Sequence, residues 1–69
     1  MQIFIKWPER EDAFSMDIQP GSSVQRAFEL AGGTAAKKKN LNALVDESVT
    51  AAWSTKILRT GQTVKFVNK

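Results

Sequence analysis

The feature that most constrains this chain is its single stretch of helical periodicity, Ser22-Ser23-Val24-Gln25-Arg26-Ala27-Phe28-Glu29-Leu30-Ala31, closed by Gly32-Gly33. Val24, Ala27, Phe28 and Ala31 recur at i, i+3, i+4 and i+7, and Leu30 widens the stripe, so one face is apolar and the other carries Gln25, Arg26 and Glu29. The limits of the helix are written beside it. Pro20-Gly21 turns the chain, Ser22 or Ser23 can cap the free N–H groups, and Gly32 or Gly33 can take the left-handed conformation that ends a helix. Ser22 and Gln25 also have the spacing of a capping box. Every other readable segment looks like a strand. One helix therefore has a sheet to cover, and the chain reads as a small α+β domain.

With 69 residues there is room for one domain, residues 1–69, and one core. A chain of this size buries about 60% of the surface it exposes when unfolded, which sets a modest stability. A hydrophobic share of 42% beside a charged share of 25% belongs to a folded domain, not a disordered one. Cysteine is absent, which removes disulfides, thiolate metal sites and thiol nucleophiles; histidine and tyrosine are absent too. No apolar run approaches the roughly 18 residues of a membrane span. Met1 to Ile5 lacks the basic start and long apolar stretch of a signal peptide, so the expected location is cytoplasmic.

The organisation follows from alternation. Ile3, Ile5 and Trp7 alternate with Gln2, Phe4 and Lys6, and Phe14, Met16 and Ile18 alternate with Ser15 and Asp17. The polar, proline-bearing Pro8–Asp12 joins the two runs, which predicts a hairpin. After the helix, Thr34 to Asn40 reads as a polar connection holding Lys37-Lys38-Lys39. Leu41 to Val45 reads as a third strand, Asp46-Glu47 as a turn and Ser48-Val49-Thr50 as a short partner strand. Ala51 to Leu58 fits either a helical turn or an irregular loop. Arg59 to Gln62 is a turn, and Thr63 to Val67 is the closing strand, with Val64 and Phe66 on one face. A hairpin followed by a helix across a mixed sheet is the β-grasp arrangement, in which the first and last strands lie side by side and parallel.

On these residues the chain resembles the ubiquitin-like β-grasp family, and within it the sulfur-carrier branch (ThiS and MoaD) and the TGS domains. Met1-Gln2-Ile3-Phe4-Ile5-Lys6 is similar to the opening strand of ubiquitin, and Pro20-Gly21-Ser22-Ser23-Val24 to the turn and helix start of the sulfur carriers. Val45-Asp46-Glu47-Ser48-Val49 stands where those proteins have a Val-Asn-Gly hairpin. Leu58 to Val67 follows their closing pattern, and Trp53 falls where many of them have a tryptophan or tyrosine. The resemblance implies the fold more than a function, because one fold hosts many functions. Two departures matter. The sequence given ends at Asn68-Lys69 without the diglycine tail that carriers activate, so a sulfur-carrier role requires a natural gene that continues past Lys69. The Asp46-Glu47 pair lacks the glycine of a tight two-residue turn, which predicts a longer or differently shaped one.

The residue types then weigh against catalysis. Without His, Cys or Tyr, a nucleophile would have to be Ser, Thr or Lys, and a base Asp, Glu or Lys. The acidic clusters Glu9, Glu11, Asp12 and Asp46, Glu47 read as solvated loops and match no calcium-loop pattern. The chain is expected to be neither an enzyme nor a cofactor or metal binder, and to be a monomer when free.

Binding is the remaining class. If Ile3, Ile5 and Trp7 face the helix, Phe4 and Lys6 face away, and Lys65 and Val67 on the neighbouring last strand face the same way. Phe4, Lys6, Lys65 and Val67 are therefore the expected protein-binding patch on the open face of the sheet, against the plainer reading of Phe4 and Val67 as isolated exposed hydrophobes. The alternative partner is nucleic acid. Net charge is +3, but residues 1–36 carry three basic and five acidic groups, while residues 37–69 carry seven basic groups against two acidic ones. Lys37, Lys38, Lys39, Lys56 and Arg59 are the candidate phosphate contacts, weighed against lysines that only keep a loop solvated. Trp7 and Trp53 are expected in the core, Trp7 by packing against the helix.

Overall fold

Alternation along the first and last readable strands has its structural counterpart at the centre of one sheet. The computed structural model describes residues 1–69, with strands β1 (Gln2–Lys6), β2 (Phe14–Asp17), β3 (Leu41–Val45), β4 (Ser48–Thr50) and β5 (Thr63–Asn68) and helices α1 (Val24–Leu30) and α2 (Ala35–Lys38). The strand order is β2-β1-β5-β3-β4. β1 and β5 run parallel, with Phe4 opposite Thr63 and Lys6 opposite Lys65, and all other pairs are antiparallel. The domain is α+β, a five-stranded mixed sheet with two helices on a single core. No helix is long and apolar enough to cross a membrane.

Strand alternation sends one set of side chains into that core. Ile3 and Ile5 from β1, Leu41, Ala43 and Val45 from β3, and Val64 and Phe66 from β5 are buried against Val24, Ala27 and Phe28 of α1. Ile18, Trp7, Trp53 and Leu58 complete a core of 14 buried residues, none of them polar. β2 behaves differently. It is an edge strand, and Phe14 and Met16 are only half-buried. Ile18 lies past its end, where its N–H donates to the Met1 carbonyl.

α1 is shorter than its apolar stripe. Ser23 is the cap, its Oγ accepting from the Arg26 N–H at 3.1 Å. The Ser22 hydroxyl instead donates to the Gln19 carbonyl, and Gln25 accepts from Lys38, so the capping box does not form. Leu30 is 49% exposed, because it stands about 200° around the helix from Phe28. Gly32, at φ +96°, ends the helix. The Gly33 N–H then donates to the Phe28 carbonyl at 2.8 Å.

The segment that sequence left ambiguous, residues 51–58, is irregular and completes the helix start. The carbonyls of Lys56 and Trp53 accept from the Val24 and Gln25 N–H groups at 3.0 and 2.9 Å, and the Leu58 N–H donates to the Ser22 carbonyl. The first N–H groups of a helix lack partners within it, and here a distant stretch of backbone supplies two. It also delivers Trp53 and Leu58 to the core.

Two sequence expectations are corrected. The Thr34–Asn40 connection is not all loop: Ala35–Lys38 form a helical turn capped by Thr34 Oγ1, which accepts from the Lys37 N–H. The Asp46-Glu47 turn is not longer than two residues, since Val45 pairs directly with Ser48. Both turn residues take positive φ, +47° and +71°, where glycine is favoured. Asp46 is held there. Its carboxylate accepts from the Thr63 N–H and from Gln62 Nε2, and its own N–H donates to the Thr63 carbonyl.

Glu47 has no such compensation. Glu47→Gly is expected to stabilise the fold by about 0.5–1 kcal/mol, the left-handed penalty less the added chain entropy of glycine, read as a raised urea midpoint. The opposite is expected at Gly33, where a Cβ would fall inside the contact distance of the Phe28 ring. Gly33→Ala should cost about 1–3 kcal/mol, the usual penalty for overpacking, in the same titration.

Candidate functional site

The helices cover one face of the sheet and the chain leaves the other uncovered. Register assigns the residues of that open face without ambiguity. One row crosses four strands: Val49 of β4 opposite Leu44 of β3, Leu44 opposite Lys65 of β5, and Lys65 opposite Lys6 of β1. A second row places Val67 opposite Asn42. A third, on the other side of the first, runs Ser15, Phe4, Thr63.

All four residues expected to form a protein-binding patch, Phe4, Lys6, Lys65 and Val67, lie on this face and are partly exposed. They are not one apolar surface. Phe4 and Val67 stand on opposite sides of the Lys6–Lys65 row, four residues apart along β5, which is about 13 Å. The apolar cluster forms elsewhere. Val67 is the diagonal neighbour of Leu44, and Leu44 is directly opposite Val49, which is 68% exposed. Leu44 and Val49 were missed in the sequence because Ala43-Leu44-Val45 is apolar throughout and hides its own alternation. The signal available was the buried series Leu41, Ala43, Val45, which leaves Leu44 on the open side.

Lys6 and Lys65 meet as like charges directly opposite each other, an unfavourable pair. Lys6 turns away from it. Its Nζ donates to the Trp7 carbonyl at 2.8 Å and to the Arg10 carbonyl, tying down the loop between β1 and β2. Lys65 is left as the cation at the centre of the face, with the Leu44–Val49–Val67 cluster on one side of it. The acidic group at the β2 edge, Asp17, is already paired, with the terminal ammonium of Met1 at 3.0 Å.

The five candidate nucleic-acid contacts separate. Lys37, Lys38 and Lys39 lie just ahead of β3, at the end of the sheet where β5 finishes, since Leu41 pairs with Asn68. Lys69 joins them there, its N–H donating to the Asn40 carbonyl. Arg59 is at the opposite end, in the turn before β5, where the Gly61 N–H donates to the Gln2 carbonyl. Lys56 sits in the segment that caps α1. Two of the lysines are also engaged in the fold. The Lys37 ammonium is 5.5 Å from the centroid of Trp7, and that of Lys38 is 5.1 Å from Trp53 and donates to Gln25 Oε1 at 2.6 Å. These are cation–π contacts that cover the exposed edge of the aromatic core.

Both tryptophans are buried, at 7% and 5% exposure. Trp7 stacks on Phe66 with centroids 4.9 Å apart and meets Phe28 edge-on at 5.7 Å, so it packs against the helix as expected. Neither tryptophan is free to anchor a partner on the open face. In comparisons with known proteins, no family model matches this chain and no curated sequence matches it.

Proposed function

We propose that this chain is a non-catalytic β-grasp module that binds a protein through the open face of its sheet. The order β2-β1-β5-β3-β4 with parallel β1 and β5 under α1 supports the β-grasp reading. The observation that carries the binding reading is the cluster of Leu44, Val49 and Val67 beside Lys65 on a face with no layer over it. Apolar side chains grouped beside a single cation offer a partner burial at the centre and orientation at the rim. Of the four residues named from sequence, Lys65 and Val67 belong to this centre. Phe4 flanks it, and Lys6 serves mainly to hold the β1–β2 loop.

A second reading is nucleic-acid binding at the other end of the basic half. It is favoured by Lys37, Lys39 and Lys69 lying together where β5 finishes, and it does not involve Arg59. Binding of this kind falls steeply with salt.

Affinity capture from cell extract, with and without nuclease, separates the two. For the open face, a defined protein is retained by the native chain after nuclease treatment and is lost with Leu44→Glu/Val49→Asp, whose fold is checked by circular dichroism. Phe4→Ala should weaken retention less than the double variant. Equal retention by the native chain and the double variant would rule out the open face. Recovery that vanishes with nuclease would favour the lysine-rich end.

A further inference from the structure

On the helix side, where β1 ends, a cleft of about 320 Å³ opens between the β1–β2 loop, the start of β2, the end of α1 and α2. Its apolar walls are Trp7, Phe14 and Ala31, and its charged lining is Arg10, Lys37 and Glu9. A volume near 300 Å³ is at the small end of ligand sites, room for about ten water-sized groups. The Trp7, Glu9 and Lys37 side also borders a second cleft, of about 290 Å³, that continues to Pro8, Leu41 and Asn68.

One cation and the backbone that carries the other are held in place before any ligand arrives. The Lys37 ammonium rests over the Trp7 ring at 5.5 Å. The backbone of Arg10 is fixed at both ends, its N–H donating to the Trp7 carbonyl at 3.2 Å and its own carbonyl accepting from Lys6 Nζ. Neither cation is neutralised. The only ion pair in the chain joins Met1 and Asp17, so Glu9 lines the cleft without pairing with Arg10 or Lys37. Two unpaired cations lining one cleft, one of them seated over the Trp7 ring, form a charge arrangement with a definite complement.

We propose that this cleft binds a small ligand carrying a carboxylate or phosphate on a flat apolar body. The anion lies between the Arg10 guanidinium, whose planar fork matches either group, and the Lys37 ammonium. The flat body lies against the half-buried Phe14 and Ala31 and reaches only the exposed edge of Trp7. Glu9 faces the same space and weakens every anion that enters, which selects against ligands of high charge and little apolar surface. This site is on the other side of the sheet from the open face, so its test is independent of the protein-binding reading.

The test is a titration of the ¹⁵N-labelled chain with phenyl phosphate and with benzoate, beside inorganic phosphate and benzyl alcohol, followed by amide and indole N–H shifts. The expected result is saturable shifts confined to Trp7, Arg10, Phe14, Ala31 and Lys37, with a Kd of about 1 mM or below for at least one aryl anion. Phosphate or benzyl alcohol alone should bind at least tenfold more weakly. Arg10→Gln and Lys37→Gln should each weaken binding about tenfold, and Glu9→Gln should tighten it. Which aryl anion binds better identifies the carboxylate or the phosphate as the natural group. Linear shifts spread over all the basic residues, or affinity unchanged in Arg10→Gln/Lys37→Gln, would overturn the proposal. So would phosphate binding as tightly as phenyl phosphate, which points to the lysine-rich end as a general polyanion surface.

Discussion

Four aromatic rings from four separate parts of the chain hold this structure together. Trp7 follows β1, Phe28 is on α1, Trp53 is in the irregular segment and Phe66 is on β5, and five of their pairings have centroids between 4.9 and 5.7 Å apart. Phe28 and Phe66 are at the centre, 5.2 Å apart and nearly inaccessible. Stacked and edge-on pairs add to the burial of such large side chains. There is no disulfide and no buried polar or charged residue to share the task. Much else depends on these contacts. Trp53 anchors residues 51–58, which in turn supply the carbonyls that satisfy the start of α1, and Gly33 must remain bare because the Phe28 ring occupies the space beside it. The two lysines of α2 are drawn to the same rings from outside.

A core built wholly on one side leaves the sheet with two unlike faces. The covered face is closed by α1 and the aromatic cluster. The uncovered face carries what the strands could not bury, and it is graded: apolar toward β3 and β4, cationic at β5, polar toward β2. Its one internal conflict, Lys6 opposite Lys65, is relieved by the carbonyls of the β1–β2 loop. The same bonds shape the loop that borders the helix-side cleft, so one lysine couples the geometry of both surfaces.

The elements that sequence made legible are those whose signal is local. Ser22-Ser23 and Gly32-Gly33 bracket α1 within a residue or two, and the alternation of β1 and β5 assigned their buried faces and hence the correct side for Phe4, Lys6, Lys65 and Val67. What was missed depends on distant partners. A two-residue turn at Asp46-Glu47 contradicts local preference and persists because Gln62 and Thr63 hold the Asp46 carboxylate. Residues 51–58 have no periodicity because their backbone makes one turn of its own, Thr55 and Lys56 donating to the Ala52 carbonyl, and otherwise bonds to the start of α1. Lys37 and Lys38 read as solvated charges, yet their ammonium groups lie over Trp7 and Trp53, a contact that exists only after the tertiary structure has formed. The same dependence explains why five basic residues close in sequence to one another, or to a turn, did not become one surface.

The parallel pairing of β1 with β5 has a consequence for how the domain comes into being. The middle of the sheet joins Phe4 to Thr63 and Lys6 to Lys65, nearly the whole length of the chain apart. Hairpins β1–β2 and β3–β4 are local, but nothing joins them into one sheet until β5 enters between β1 and β3. Contacts of such wide sequence separation slow folding, because loop closure must come before the contacts that reward it. During synthesis, then, the keystone is made after the four strands it joins. Until Phe66 has left the exit tunnel, Trp7, Phe28 and Trp53 have one another but lack the ring that touches all three.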